Sequence, residues 1–452
     1  MSKTKTVFVC RNCGAESPKW IGRCPSCHEW NTYIEEVVTR STSGNQVSDL
    51  SKKSKPALIA DITAYPEKRI MTGTVELDRL LGGGIVKGSV ILLGGEPGIG
   101  KSTLALQMAM KLGNRSVLYI SGEESEQQIK MRAERLPGSN SLCYILSETD
   151  LDSILNHATA LNPDMIVIDS IQTLTTSQLE SAAGSVTQVR ECSAMLLKYA
   201  KSTGVPVVLI GHITKDGTLA GPKVLEHIVD VVLLFEGDSN YIYRLLRPVK
   251  NRFGSTSELG IFEMMESGLR EVTNPSELFI NRHDELLSGI TIAATIDGIR
   301  PFMIETQSLV STAVYGTPQR SSTGFDTRRL NMLLAVLEKR AGFRLGTRDV
   351  FLNIAGGLRV TDPAIDLAVI TAVLSSNLDI AVPGNICFAG EVGLSGEIRP
   401  VPRIEQRIRE CEKLGFSKIV ISKYHRNMKT PDGGPEISRI GKIETLVKMI
   451  FS

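Results

Sequence analysis

The chain has 452 residues, of which 42% are hydrophobic and 22% charged, a composition that excludes disordered and fibrous classes. Lys and Arg number 51 against 49 Asp and Glu, so the net charge of +2 rules out a uniformly basic or acidic protein but not a local basic patch. One core rarely grows beyond about 250–300 residues, so the length predicts several domains, and no run of about 18 apolar residues offers a membrane-spanning helix.

The N-terminus, MSKTKTVFVC, lacks the apolar centre of a signal peptide, so a cytoplasmic chain with no membrane partner is expected. Cys10, Cys13, Cys24 and Cys27 follow the spacing C-x2-C-x10-C-x2-C. Two such turns place four thiolates around one Zn²⁺. Iron is the alternative metal, and two disulfides are disfavoured in a reducing compartment. A module of residues 1–38 is too small for a core of its own, so the metal supplies its folding energy. Trp20 and Trp30 flank the second cysteine pair. They are expected in the mini-core, with a base-stacking or partner surface as the alternative. Cys143, Cys192, Cys387 and Cys411 lie among apolar residues and read as buried thiols.

Residues 39–56, rich in Ser, Thr and Lys, read as a flexible linker. Over residues 57–274 the apolar runs 90–93, 117–120, 165–168, 207–210 and 231–235 alternate with helical stretches. Short uninterrupted apolar strands between helices predict a parallel α/β sheet covered on both faces. Gly95, Glu96, Pro97, Gly98, Ile99, Gly100, Lys101 and Ser102 fit G-x-x-x-x-G-K-[ST] between a predicted strand and a predicted helix opened by Ser102, and with Thr103 they form the expected ATP-binding set. The glycines turn backbone N–H groups toward phosphate oxygens. Lys101 would reach the outer phosphates of ATP, and Ser102 would ligate Mg²⁺.

The run 117–120 leads to Glu123 and Glu124. A glutamate there activates an attacking water; Glu123 is the first choice and Glu124 the competitor. Asp169 ends the run 165–168 and would hold Mg²⁺ through water, with a helix N-cap as its alternative role. His212 ends the run 207–210, either as a γ-phosphate sensor or as a half-buried strand-end histidine. Beyond Asn274-Pro275 a segment of residues 275–452 has its own strand at 290–296 and two amphipathic helices, marked by Leu330, Leu333, Leu334 and Leu337 and by Ile404, Ile408, Cys411 and Leu414. Residues 320–348 carry seven basic and two acidic side chains. Such a patch, including Arg328 and Arg329, neutralises DNA phosphates or forms a solvated face with intersubunit ion pairs.

Thr72-Gly73, the stretch Leu77-Asp78-Arg79-Leu80-Leu81-Gly82-Gly83-Gly84-Ile85 and Gly88 resemble the approach to a RecA/KaiC-type ATPase core. With the four-cysteine module and Lys250-Asn251-Arg252-Phe253-Gly254, the whole chain resembles the bacterial RadA (Sms) family. The resemblance implies a hexameric ring on single-stranded and branched DNA that uses ATP to drive branch migration with the RecA recombinase. It implies that Lys250 and Arg252 reach a neighbouring subunit's nucleotide or DNA phosphates; a basic surface turn is the plain alternative. RecA-type cores also bind single strands through loops matching residues 173–187 and 214–223, the latter with Lys215 and Lys223.

Gly390-Glu391-Val392, Leu394-Ser395-Gly396 and Pro400 resemble the proteolytic domain of Lon. Aligned so, Ala364 stands where Lon has its serine and Glu405 where it has its lysine, which implies the fold without peptidase chemistry. Ser375 and Lys413 are the substitutes if the alignment slips. The expected architecture is a zinc ribbon or knuckle module, an α/β RecA-like P-loop core and an α+β Lon-like domain. The expected function is a DNA-dependent ATPase motor; a Lon-like ATP-dependent protease and a KaiC-like ATPase scaffold are the alternatives.

Overall fold

All five apolar runs are strands in the computed structural model, which describes residues 4–10, 15–26, 28–39, 58, 69–212, 223–236, 243–280, 285, 287–313, 318–426 and 433–452. Two compact units divide the chain, Met1–Val272 and Thr273–Ser452. Among the described residues no helix is long and apolar enough to cross a membrane.

The cysteine module is a small antiparallel sheet in the order β2-β1-β3, formed by β1 (Thr4–Cys10), β2 (Glu16–Ser17) and β3 (Tyr33–Thr39). The Cys10 and Cys24 N–H groups each donate to the carbonyl five residues on. The Cys10 N–H donates to the Ala15 carbonyl at 3.0 Å, and the Cys24 N–H to the Glu29 carbonyl at 2.9 Å. Cys10 and Cys24 are buried together with Tyr33, against Phe8 and Ala15. Cys13 and Cys27 lie outside the described residues. The mini-core expected of the tryptophans is corrected: Trp20 is 55% and Trp30 67% exposed. The thiols and Tyr33 already fill so small an interior. A Cβ added at Gly22 would touch both indoles instead, and the Arg23 guanidinium lies 5.7 Å from the Trp30 ring.

The second sheet follows strand alternation. Its strands are β4 (Val90–Gly95), β5 (Val117–Ser121), β6 (Cys143–Ser147), β7 (Met165–Asp169), β8 (Val207–His212), β9 (Val231–Glu236), β10 (Tyr243–Asn251), β11 (Gly260–Met265) and β12 (Gly268–Glu271). Their order is β12-β11-β10-β9-β4-β8-β7-β5-β6. From β9 to β6 the pairs are parallel; β10, β11 and β12 extend the sheet antiparallel. Successive residues point to opposite faces. Ile91, Leu93, Tyr119 and Val167 therefore pack under α1 (Val75–Leu80), α2 (Lys101–Lys111) and α3 (Glu126–Ala133). Leu92, Leu118, Ile120 and Ile168 pack under α4 (Leu151–Leu161), α5 (Val186–Thr203) and α6 (Lys223–Ile228).

The second unit holds a mixed sheet in the order β15-β16-β14-β13-β17-β20-β21. It is made by β13 (Ile290–Asp297), β14 (Arg300–Thr312), β15 (Arg320–Thr323), β16 (Arg348–Ile354), β17 (Ile386–Ala389), β20 (Lys418–Ser422) and β21 (Glu436–Ile440), with β18 (Glu391–Val392) and β19 (Ile398–Arg399) as a separate hairpin. Its helices are α7 (Pro275–Phe279), α8 (Thr327–Ala341), α9 (Asp366–Leu378), α10 (Ile404–Lys413) and α11 (Ile443–Phe451). The two predicted amphipathic helices are α8 and α10, with their apolar faces buried.

Ala364 is buried in a short turn before α9, its N–H donating to the Asp362 carboxylate at 3.1 Å. Glu405 lies in the first turn of α10. Ser375 is buried inside α9 and donates to the Ile380 carbonyl at 2.5 Å, while Lys413 ends α10 as an exposed residue. Arg407 is only 1% exposed; its guanidinium donates to Asp362 and to the Ala294 carbonyl, both at 2.6 Å.

The basic stretch divides in the same way. Arg328 is exposed. Arg329, expected to meet DNA, instead grips the fully buried Asp366 with two hydrogen bonds of 2.6 and 2.5 Å. A buried carboxylate needs a fixed cation, and that need takes precedence over a surface role. Arg329→Ala is expected to lower the stability of this unit by about 2–4 kcal/mol, because Asp366 is left without its partner while the guanidinium was already partly solvated. Denaturant titration of the variant checks this.

Candidate active site

The segment between β4 and α2 has no side chain at the helix entrance. Gly100 is the N-cap, with φ 115°, and among the described residues no side chain caps the first turn of α2. The N–H groups there remain available to an anion, with the helix dipole behind them. A Cβ added at Gly98 would meet nothing within 4 Å, so the loop opens onto free space. This donor set fits the phosphates of ATP. Lys101 is buried and turns back on the loop, donating to the Gly95 and Glu96 carbonyls, both at 2.8 Å. Burial pushes its ammonium down to about 8, against the attraction of Asp169, Glu123 and Glu96.

Parallel strands bring the other groups to the same edge. Gly95 pairs with His212 across β4 and β8, and Ser121 with Asp169 across β5 and β7. Asp169 is buried and would hold Mg²⁺ together with Ser102. Glu123 is half exposed; its carboxylate accepts from the Ser170 hydroxyl at 2.8 Å and lies 3.7 Å from His212 Nε2. Glu124 is held by Arg132 at 2.7 Å. The geometry thus separates the two glutamates: one is a helix-bound ion-pair partner, the other faces the site. Nothing in the motif distinguishes them; the distinction comes from Arg132, which arrives on α3. Tyr119 was missed by motif reading for the same reason: it sits inside an apolar strand, yet its hydroxyl donates to Asp169 at 2.7 Å.

The pentapeptide 250–254 lies elsewhere. Asn251 donates to the Leu80 carbonyl at 3.0 Å, and Arg69 donates to the Leu81 and Phe253 carbonyls at 3.0 and 3.1 Å. A Cβ on Gly82 would stand 2.7 Å from the Phe253 oxygen, so the two glycine-containing motifs need each other's missing side chains. Lys250 is not free within its own chain: its ammonium donates to the Glu226 and Val229 carbonyls at 2.6 and 2.7 Å and closes the end of α6. Arg252 is 59% exposed and 3.7 Å from the buried Asp230. Of the loops matched to DNA binding, residues 213–222 with Lys215 lie outside the described residues, as does the side chain of Lys223. The loop 173–187 is pinned by Gln188, which donates to the Leu179 and Ser181 carbonyls at 3.1 and 3.0 Å.

The Lys101 shift has a definite sign. With a folded-state pKa near 8, the nucleotide-free protein loses the ammonium as pH rises through 8, and ATP binding must restore it. ATP affinity is therefore expected to fall about tenfold between pH 7 and 9, with a proton taken up on binding. Calorimetry in buffers of different ionisation heat measures both, and Lys101→Arg should flatten the profile.

Residues 59–218 match a family model described as an AAA domain, residues 8–35 one described as a rubredoxin metal binding domain, and residues 306–425 one described as subunit ChlI of Mg-chelatase. The DNA repair protein RadA of Bacillus subtilis is 47% identical over 448 residues, covering 98% of each chain. RadA of Listeria monocytogenes is 49% identical over 433 residues, covering 95% of each chain. Among solved structures, a KaiC-like protein of Pyrococcus horikoshii overlaps 46% of this chain and 100% of its own, at 22% identity and a TM-score of 0.40. An overlap that loose defines neither fold nor function. Identity near one half along both full chains does define the family: this chain belongs to the RadA DNA repair proteins, with a metal-ribbon module, an AAA-type ATPase core and a Lon-like C-terminal domain.

Proposed function

We propose that the chain is a ring-forming, DNA-dependent ATPase that binds single-stranded DNA and drives branch migration of recombination intermediates alongside RecA. Lys101 holds the outer phosphates, Ser102 and Asp169 carry Mg²⁺, and Glu123 orients and deprotonates the attacking water while His212 meets the γ-phosphate. Cys10, Cys13, Cys24 and Cys27 hold Zn²⁺ in the N-terminal module.

One observation carries the ring. β10 runs antiparallel to β9, and Asn251 pairs with Val231, the first residue of β9. The P-loop lies past the last residue of the parallel β4. Arg252 therefore emerges at the opposite edge of the sheet from its own ATP site, about 17 Å away over the length of β9. An exposed arginine on a pinned turn at that edge fits a cation offered to the next subunit's nucleotide. Assembly then completes the charge stabilisation of the γ-phosphoryl group. The buried Ala364 at the position of Lon's serine supports a C-terminal domain without peptide hydrolysis.

Lys101→Ala should abolish hydrolysis, and Arg252→Ala should lower it about 10³-fold with ATP binding retained. Mixing the two inactive chains is the decisive assay: a Lys101→Ala subunit still offers Arg252 to a neighbour with an intact P-loop, so activity should partly return. No recovery, or no ATP-dependent movement of a labelled three-strand junction by the native protein, overturns the reading. Arg328→Ala should weaken DNA binding and reduce its salt slope by about one counterion, measured by anisotropy across a salt series.

A further inference from the structure

The magnesium carboxylate has a support outside both nucleotide-binding motifs. Tyr119 of β5 pairs with Val167 and Ser121 with Asp169, so Tyr119 and Asp169 share the sheet face under α2. The Tyr119 ring is fully buried, and its hydroxyl donates to Asp169 Oδ2 at 2.7 Å. Behind that hydroxyl stands Arg132 of α3. One guanidinium nitrogen, Nη2, lies 3.5 Å from the Tyr119 oxygen and 3.5 Å from the Ser102 carbonyl. The other, Nη1, donates to Glu124 at 2.7 Å, which fixes the guanidinium in place.

The direction of these bonds follows from donor inventory. A guanidinium only donates. The Tyr119 oxygen therefore accepts from Arg132 and sends its single proton to Asp169. With Oδ2 accepting from Tyr119, the carboxylate cannot rotate without breaking a buried hydrogen bond. The same Arg132 touches the backbone of Ser102, the expected second magnesium residue.

We propose that Tyr119 is a positioning residue for Mg²⁺, aimed by the Arg132–Glu124 pair, so that metal affinity at the ATP site is set by a hydrogen bond from the neighbouring strand. The inference rests on the reading of Asp169 as the magnesium carboxylate.

The test is ATP hydrolysis by the full chain as a function of free Mg²⁺, with Mn²⁺ binding followed by electron paramagnetic resonance as a readout independent of turnover. Tyr119→Phe should raise the half-saturating concentration of both metals about tenfold, as expected for a lost hydrogen bond to a charged group. At saturating Mg²⁺, kcat should stay within about twofold of native, and metal-free nucleotide binding should be unchanged, because the lost bond acts only through Asp169. Arg132→Gln should shift the requirement in the same direction by about threefold, and it carries the test if Tyr119→Phe does not fold. Asp169→Asn is the reference. If it raises the metal requirement and neither Tyr119→Phe nor Arg132→Gln does, the proposal is overturned and the magnesium reading stands. If Asp169→Asn itself changes nothing, the magnesium reading falls and takes the proposal with it.

Discussion

An α-helix begins with N–H groups that have no partner within the helix, and at α2 no side chain among the described residues caps them. Much of the ATPase core can be derived from keeping that end open. Gly100 occupies a left-handed conformation that a side chain would resist, and Gly98 faces open space. A parallel sheet then delivers the strand ends of β5, β7 and β8 to the same edge as the loop after β4. Glu123, Asp169 and His212 gather there because strand direction puts them there, although they are far apart along the chain.

Cations serve two different purposes in this molecule, and burial separates them. Lys250 closes α6, Arg329 grips Asp366, and Arg407 joins Asp362 to the carbonyl of Ala294. Each is held by acceptors that offset the loss of water. Arg252 and Arg328 keep exposed side chains and remain available to something outside the chain. Asp230 is the hinge between the two groups. Its buried carboxylate accepts from the Val90 N–H at 3.1 Å and from Lys201 at 2.7 Å, with Arg252 at 3.7 Å on its outer side. The Arg252 N–H also donates to the Asp230 carbonyl at 3.2 Å, so backbone and guanidinium both meet Asp230 while the side chain stays 59% exposed.

Legibility tracked burial. The strands β4, β5, β7, β8 and β9 were readable because strands covered on both faces need unbroken apolar runs. β6 was not, although residues 143–146 are an unbroken apolar run; it is an edge strand with half-exposed residues and Tyr144 facing outward. Trp20 and Trp30 flank the second cysteine pair, a place that suits a mini-core or an outer surface in sequence, and both stay more than half exposed. Tyr119 looked like one more apolar strand residue, since a hydroxyl that meets a carboxylate across two strands leaves no local signature.

The sequence by itself determined the phosphate loop, the alternation of strands and helices, and the family. Those signals rest on local spacing: a glycine every few residues, a lysine after the last one, cysteines three apart. The tertiary structure alone decided that Glu123 faces the site while Glu124 is paired, that Arg329 is internal while Arg328 is not, and that Arg252 emerges at the far edge of the sheet from its own phosphate loop. Each of those outcomes depends on which strand or helix arrives alongside and in which direction it runs, and the arrival of a distant segment is not written in the neighbours of any one residue.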